Sequence, residues 1–133
     1  MKNRELSSEM ENAETGGNMD VTIFHNPACG TSRNVLQAIR DAGHDPTVVE
    51  YLKVGWRRDQ LAGLLQRMEL AARDILRVRG TPAEELGLTA STSTDLQILD
   101  AMVLHPILVE RPIVVSRKGA ALCRPAEKVR ALL

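Results

Sequence analysis

The sequence predicts an α/β domain: a small mixed β-sheet flanked by helices, with a helical insert between a βαβ half and a ββα half. Three observations predict it. Short β-rich runs stand at both ends of the pattern, Val21 to Phe24 and Thr47 to Leu52 early, Ile113 to Val115 and Ala120 to Cys123 late. The first two are separated by one amphipathic helix of about a dozen residues, the crossover that parallel neighbours require. The stretch between the halves has helical periodicity throughout.

Composition bounds what such a domain can be. With 133 residues, 44% hydrophobic and 26% charged, the chain is one domain's worth and buries a core without disulfides or metals. No apolar run approaches the roughly 20 residues that span a bilayer, so no membrane partner is expected. Phe24, Tyr51 and Trp56 are the only aromatics, which leaves little for stacking on bases. Seventeen basic residues balance seventeen acidic ones, so a chain-wide footprint for nucleic acid is absent. Cys29 and Cys123 are the only cysteines. They make neither a disulfide framework nor a four-ligand zinc site, and they suit a reducing cytoplasm.

Residues 1–19 lack hydrophobic periodicity and are rich in Glu, Ser, Asn and Gly; they read as a flexible tail ahead of a domain over 20–133. The first strand, Val21 to Phe24, ends at the turn signal His25-Asn26-Pro27. A helix follows, with Thr31 or Ser32 as cap, Val35, Leu36, Ile39 and Ala42 on one face and Gly43 as its stop. Thr47 to Leu52 forms the second strand. Leu61, Leu64, Leu65 and Met68 mark the next helix, which continues into a helical stretch from Ala71 to Arg77. Pro82 opens a short turn of helix ending at Gly87. Thr94-Asp95-Leu96-Gln97 matches a capping box, ahead of a helix burying Leu96, Leu99, Met102 and Val103 and stopping before Pro106. Ile113-Val114-Val115 and the run from Ala120 to Cys123 are joined by a tight turn at Arg117-Lys118-Gly119, and Pro125 starts a final helix. This order is that of thioredoxin and glutaredoxin, with a larger helical insert.

Cys29 lies between the end of the first strand and the start of the first helix. A thiol there meets free backbone N–H groups and the positive end of the helix dipole, which favour thiolate. Gly30 removes bulk where an anion would approach the backbone, and the Thr31 and Ser32 hydroxyls are candidate donors to it. His25 and Arg33 add candidate positive charge. Ser32 stands where a dithiol oxidoreductase carries its second cysteine, so no local disulfide forms. The interval from Cys29 to Arg33 is too short for the Cys-x5-Arg loop of a tyrosine phosphatase. Arg77, Arg111 and Arg124 fall where this fold brings chain near that turn, and guanidinium groups hold tetrahedral oxyanions bidentately. In thioredoxin-like proteins a cis-proline before the third strand faces the active cysteine, and Pro112 takes that position, which aims Arg111 at Cys29.

From about Asp20 to Leu133 the chain closely resembles the glutaredoxin-coupled arsenate reductases. The motifs are His25-Asn26-Pro27-Ala28-Cys29-Gly30-Thr31-Ser32-Arg33-Asn34, Ile75-Leu76-Arg77, Glu84-Glu85-Leu86-Gly87-Leu88, His105-Pro106-Ile107-Leu108, Arg111-Pro112-Ile113-Val114-Val115 and Leu122-Cys123-Arg124-Pro125. The resemblance implies an enzyme of arsenic detoxification that reduces arsenate to arsenite. Cys29 would be its nucleophile, His25 would favour the thiolate, and Arg77, Arg111 and Arg124 would clamp the oxyanion. It implies no bound cofactor, with glutathione as co-substrate and glutaredoxin as partner. Cys123 matches a non-catalytic family position and reads as a buried sheet residue. The acidic stretch before Met19 has no family counterpart, and many members continue further past the position of Arg124.

The same fold serves redox-responsive transcription regulators that bind RNA polymerase and carry Cys-x-x-Cys. Ser32 argues against that disulfide switch. Retention of all three arginines favours an oxyanion substrate over a non-catalytic relative, or one that has lost part of the clamp. Charge distribution agrees: residues 1–20 carry two basic and five acidic groups, so the rest of the chain is net positive by three.

Overall fold

Strand β1, Val21–His25, is central in the sheet, and its composition shows why: four of its five residues are buried, as expected of a strand covered on both faces. The computed structural model describes residues 19–133; the tail expected over 1–19 lies, but for Met19, outside the described residues. β2, Thr47–Glu50, runs parallel to β1 in the register Ile23 to Val48. β3, Ile113–Ser116, lies antiparallel on its other side, with Ile23 opposite Val114 and Phe24 opposite Ile113. β4, Gly119–Leu122, closes the order β2-β1-β3-β4. The sheet is thus mixed and four-stranded, flanked by helices as the sequence predicts.

Alternation of side chains along β1 and β3 sends them into two cores. Val21, Ile23 and Val114 pack with Val35 and Ile39 of α1, Gly30–Asp41, and with Val129 and Leu132 of a C-terminal 3-10 helix, Ala126–Leu132. Phe24 and Ile113 face the other way, onto α3, Arg58–Met68, and α4, Asp95–Leu104. Here Trp56 stacks on Tyr51 and tilts against Phe24, each at 5.1 Å between ring centroids.

Thr94 caps α4 as its sequence predicts: Oγ1 accepts the Gln97 N–H at 3.1 Å, and Gln97 Oε1 accepts the Thr94 N–H at 2.9 Å. Elsewhere the elements shift. β2 stops at Glu50, and Tyr51–Val54 makes a short helix, α2, that turns the Tyr51 ring into the core. The stretch after α3 is only a 3-10 turn, Ala72–Ile75; Leu76 then bridges to Val109, so Arg77 follows an extended residue and does not end a helix. Ile98 joins Leu99 and Met102 inside α4, while Leu96 is 63% exposed. Ala42 is exposed beyond the end of α1, and Cys123 follows β4. The hairpin loop is just Arg117-Lys118, with Gly119 already paired to Ser116 at φ +148°, a value that favours glycine.

Candidate active site

The loop between β1 and α1 is built by Asn26. Its Oδ1 accepts the Ala28 N–H at 2.9 Å and its carbonyl accepts the Cys29 N–H at 3.0 Å, a local side-chain turn of the kind Asn favours. Cys29 is thereby set as the N-cap of α1 in extended backbone, its carbonyl accepting the first helical bond from Arg33. The cap is Cys29 and not Thr31 or Ser32, which lie in the first turn. No side chain caps α1, so its first N–H groups are left for the thiol, and that of Ser32 reaches it.

Burial pushes the Cys29 thiol up. The Ser32 backbone N–H, hydrogen bonds from Arg111 and Arg124, and the Arg111 charge together outweigh it and hold the thiol below its ordinary value. Arg124 donates from Nη1 to Cys29 Sγ at 3.6 Å and to the Arg111 carbonyl at 3.0 Å. Arg111 is 8% exposed, and its Nε and Nη1 have no hydrogen-bond partner among the described residues. A buried guanidinium with two free donors beside a thiolate is a costly arrangement unless an anion completes it. The peptide bonds Arg111-Pro112 and Arg124-Pro125 are both cis.

The other expected site residues sit one step further out. The Ser32 hydroxyl is buried, joined to His25 Nδ1 at 2.6 Å and accepting the Asn26 N–H at 3.1 Å; toward the sulfur it offers only its backbone N–H. Burial holds His25 below its ordinary value despite the opposing charge of Glu50, so it is neutral at pH 7 and adds no positive charge. Gly30 is exposed, and a Cβ there would meet nothing nearer than the Arg33 guanidinium at 3.7 Å. Thr31, half-buried, follows it in the first turn. Arg33 folds back onto the Pro27 carbonyl at 2.8 Å. Arg77 ion-pairs with Glu110, Nη1 to Oε1 at 2.9 Å.

Two residues of this cluster escape a reading of the sequence. Tyr51 donates its hydroxyl to the Val109 carbonyl at 3.2 Å, and burial pushes its phenol up to about 12 against the charges of Arg111 and Arg77. Glu110 directly precedes Arg111, and that adjacency was its one visible signal. Cys123 is fully buried, with its thiol pushed up to about 11 by burial, and is inert beside Cys29.

Comparison with known proteins identifies relatives of the whole domain. Residues 24–132 match the model of the ArsC family. The chain is 57% identical over 113 residues to arsenate reductase ArsI2 of Synechocystis sp., covering 85% of this chain and 81% of that one. It is 48% identical over 114 residues to the arsenate reductase of Escherichia coli K12, covering 86% and 81%. The solved arsenate reductase from Vibrio cholerae superposes with a TM-score of 0.83 at 36% identity, covering 88% of this chain and all of that one.

Proposed function

The chain belongs to the ArsC family, and on that premise we propose that it reduces arsenate to arsenite with Cys29 as nucleophile and with glutathione and glutaredoxin as thiol donors. The observation that carries this reading is the pair of unpartnered donors on buried Arg111 beside a thiol that Arg124 touches. Arsenate is a tetrahedral oxyanion, and two guanidinium groups supply the planar forks that such an anion accepts.

The Cys29 thiolate attacks arsenic and an arsenate oxygen leaves as hydroxide, giving an S–As(V) adduct whose charge Arg111 and Arg124 offset. Glutathione adds its sulfur to the arsenic with loss of water. A glutaredoxin thiolate then attacks the glutathione sulfur; the electron pair of the As–S bond reduces As(V) to As(III) and leaves a glutaredoxin–glutathione disulfide. Hydrolysis of the remaining S–As(III) bond frees arsenite and restores Cys29. Two features support borrowed thiols: Ser32 occupies the place of a resolving cysteine, and Cys123 is buried. Such chemistry belongs in a reducing compartment, the cytoplasm. Among the described residues no helix is long and apolar enough to cross a membrane.

The test is an arsenite-release assay with arsenate, glutathione and glutaredoxin, each thiol donor omitted in turn. Turnover should need both donors and vanish in Cys29→Ser. Release no greater than in a no-enzyme control would refute the reading, and turnover with glutathione alone would refute the glutaredoxin step.

A further inference from the structure

We propose that Glu110 is a positioning residue that sets the affinity of the site for its oxyanion, by holding Arg77 in place and competing with the anion for its guanidinium. The inference rests on the reading above that the site takes arsenate, and it adds Arg77 to the guanidinium groups of Arg111 and Arg124 that meet the anion. Arg77 and Glu110 are joined at 2.9 Å, with side chains only 19% and 24% exposed, so the pair is shielded far more than a surface ion pair.

The backbone leaves the pair little freedom. Arg77 N–H donates to the Leu108 carbonyl at 2.7 Å, Glu110 N–H donates to the Ile75 carbonyl at 2.8 Å, and Leu76 bridges Val109 between them. Tyr51 grips the same segment through the Val109 carbonyl. Arg124 grips its far end through the Arg111 carbonyl. Glu110 and Arg111 are therefore consecutive residues of one pinned segment. One carries a carboxylate bound to a cation, the other a cation with free donors.

Arg77 is not idle in this arrangement: its charge acts on the Tyr51 phenol together with those of Arg111 and Cys29. An arriving oxyanion finds Arg111 with free donors and Arg77 already engaged. Glu110 thus keeps the guanidinium aligned in the absence of substrate and opposes the anion by its own negative charge. The exchange also discriminates, because an anion must bring enough charge to draw Arg77 from a carboxylate.

Glu110→Gln separates these effects, since an amide oxygen still accepts from Arg77 Nη1 but carries no charge. In the assay with both thiol donors, KM for arsenate should fall about 3–10-fold, and inhibition by inorganic phosphate should tighten in parallel. The turnover number should not rise. An unchanged or raised KM in a folded Glu110→Gln protein overturns the proposal, because a purely structural carboxylate would weaken binding when lost. Should the variant not fold, the wild-type protein decides: on titration with inorganic phosphate, the Arg77 guanidinium NMR signals must shift, and static signals overturn the proposal. Failure of the arsenate reading looks different, since the wild-type protein itself would then be inactive.

Discussion

Nδ1 of His25 lies 2.6 Å from Oγ of Ser32, and that hydroxyl also accepts the N–H of Asn26. Both side chains are buried. The histidine is therefore tied to the first turn of α1, whose Ser32 N–H faces the sulfur, and brings no positive charge of its own. Ser32→Ala would leave the buried Asn26 N–H without its acceptor and cost about 1–3 kcal/mol in urea denaturation at pH 7. A cost near zero would mean that the hydroxyl is not part of the turn.

The same burial gives a pH dependence. Because His25 binds its proton less readily when folded than its ordinary value of 6.5, the unfolded chain takes up the extra proton as pH falls. Stability should then decline as pH drops below about 6.5, and His25→Asn should flatten that part of the curve. Equal slopes for the two proteins would contradict the buried neutral imidazole.

Thiol chemistry should single out Cys29. Treatment of the folded protein with iodoacetamide at pH 7 should add one label, at Cys29, faster than the unfolded chain reacts there. Cys123 should label only after unfolding, since it is buried with its thiol raised to about 11. Arg124→Ala should move the rate–pH profile of Cys29 upward, toward that of an ordinary thiol. Two labels on the folded protein, or an unmoved profile, would contradict the assignment. Peptide mass mapping reads both.

Much of this site can be read from residues close together in the chain. The Cys29 turn, the α1 stripe through Val35 and Ile39 and the Thr94 cap are local features, and local rules find them. What escaped the sequence depends on distant partners. Tyr51 is a good strand former, yet it turns into a helix because its ring stacks on Trp56 and its hydroxyl reaches Val109, 58 residues away. Segment Leu76 to Val78 continues an apolar pattern, but Leu76 pairs with Val109 and ends the helical path. In α4 the run Leu96 to Leu104 is apolar nearly all round, so periodicity alone does not choose between Leu96 and Ile98 for the core. The Arg77–Glu110 pair spans 33 residues and leaves no spacing signal at all.

Arg111 carries a buried charge that its neighbours satisfy only in part. Its guanidinium is buried with two donors free, so replacing it with an apolar side chain of similar length removes an incompletely satisfied charge. Arg111→Met should keep or raise the thermal midpoint while lowering kcat/KM for arsenate by at least about 100-fold, the range seen when a charge-stabilising donor is lost. A variant that unfolds, or one that keeps near-normal turnover, would place Arg111 in the framework and outside the chemistry.

Tyr51→Phe isolates the segment that carries both Glu110 and Arg111. The ring keeps its place, 5.1 Å from Trp56 and buried, so emission from the sole tryptophan should barely change. What disappears is the hydroxyl, which donates to the carbonyl of fully buried Val109 at 3.2 Å and also meets the Arg111 guanidinium. An unpaired carbonyl there costs about 1–3 kcal/mol, read as a lower urea midpoint at unchanged slope. Loosening of Val109 should reach the next two residues, so KM for arsenate should rise while the pH profile of Cys29 alkylation moves little. A loss of stability with KM unchanged would show that the Leu76 bridge and Arg124 hold the segment without the phenol.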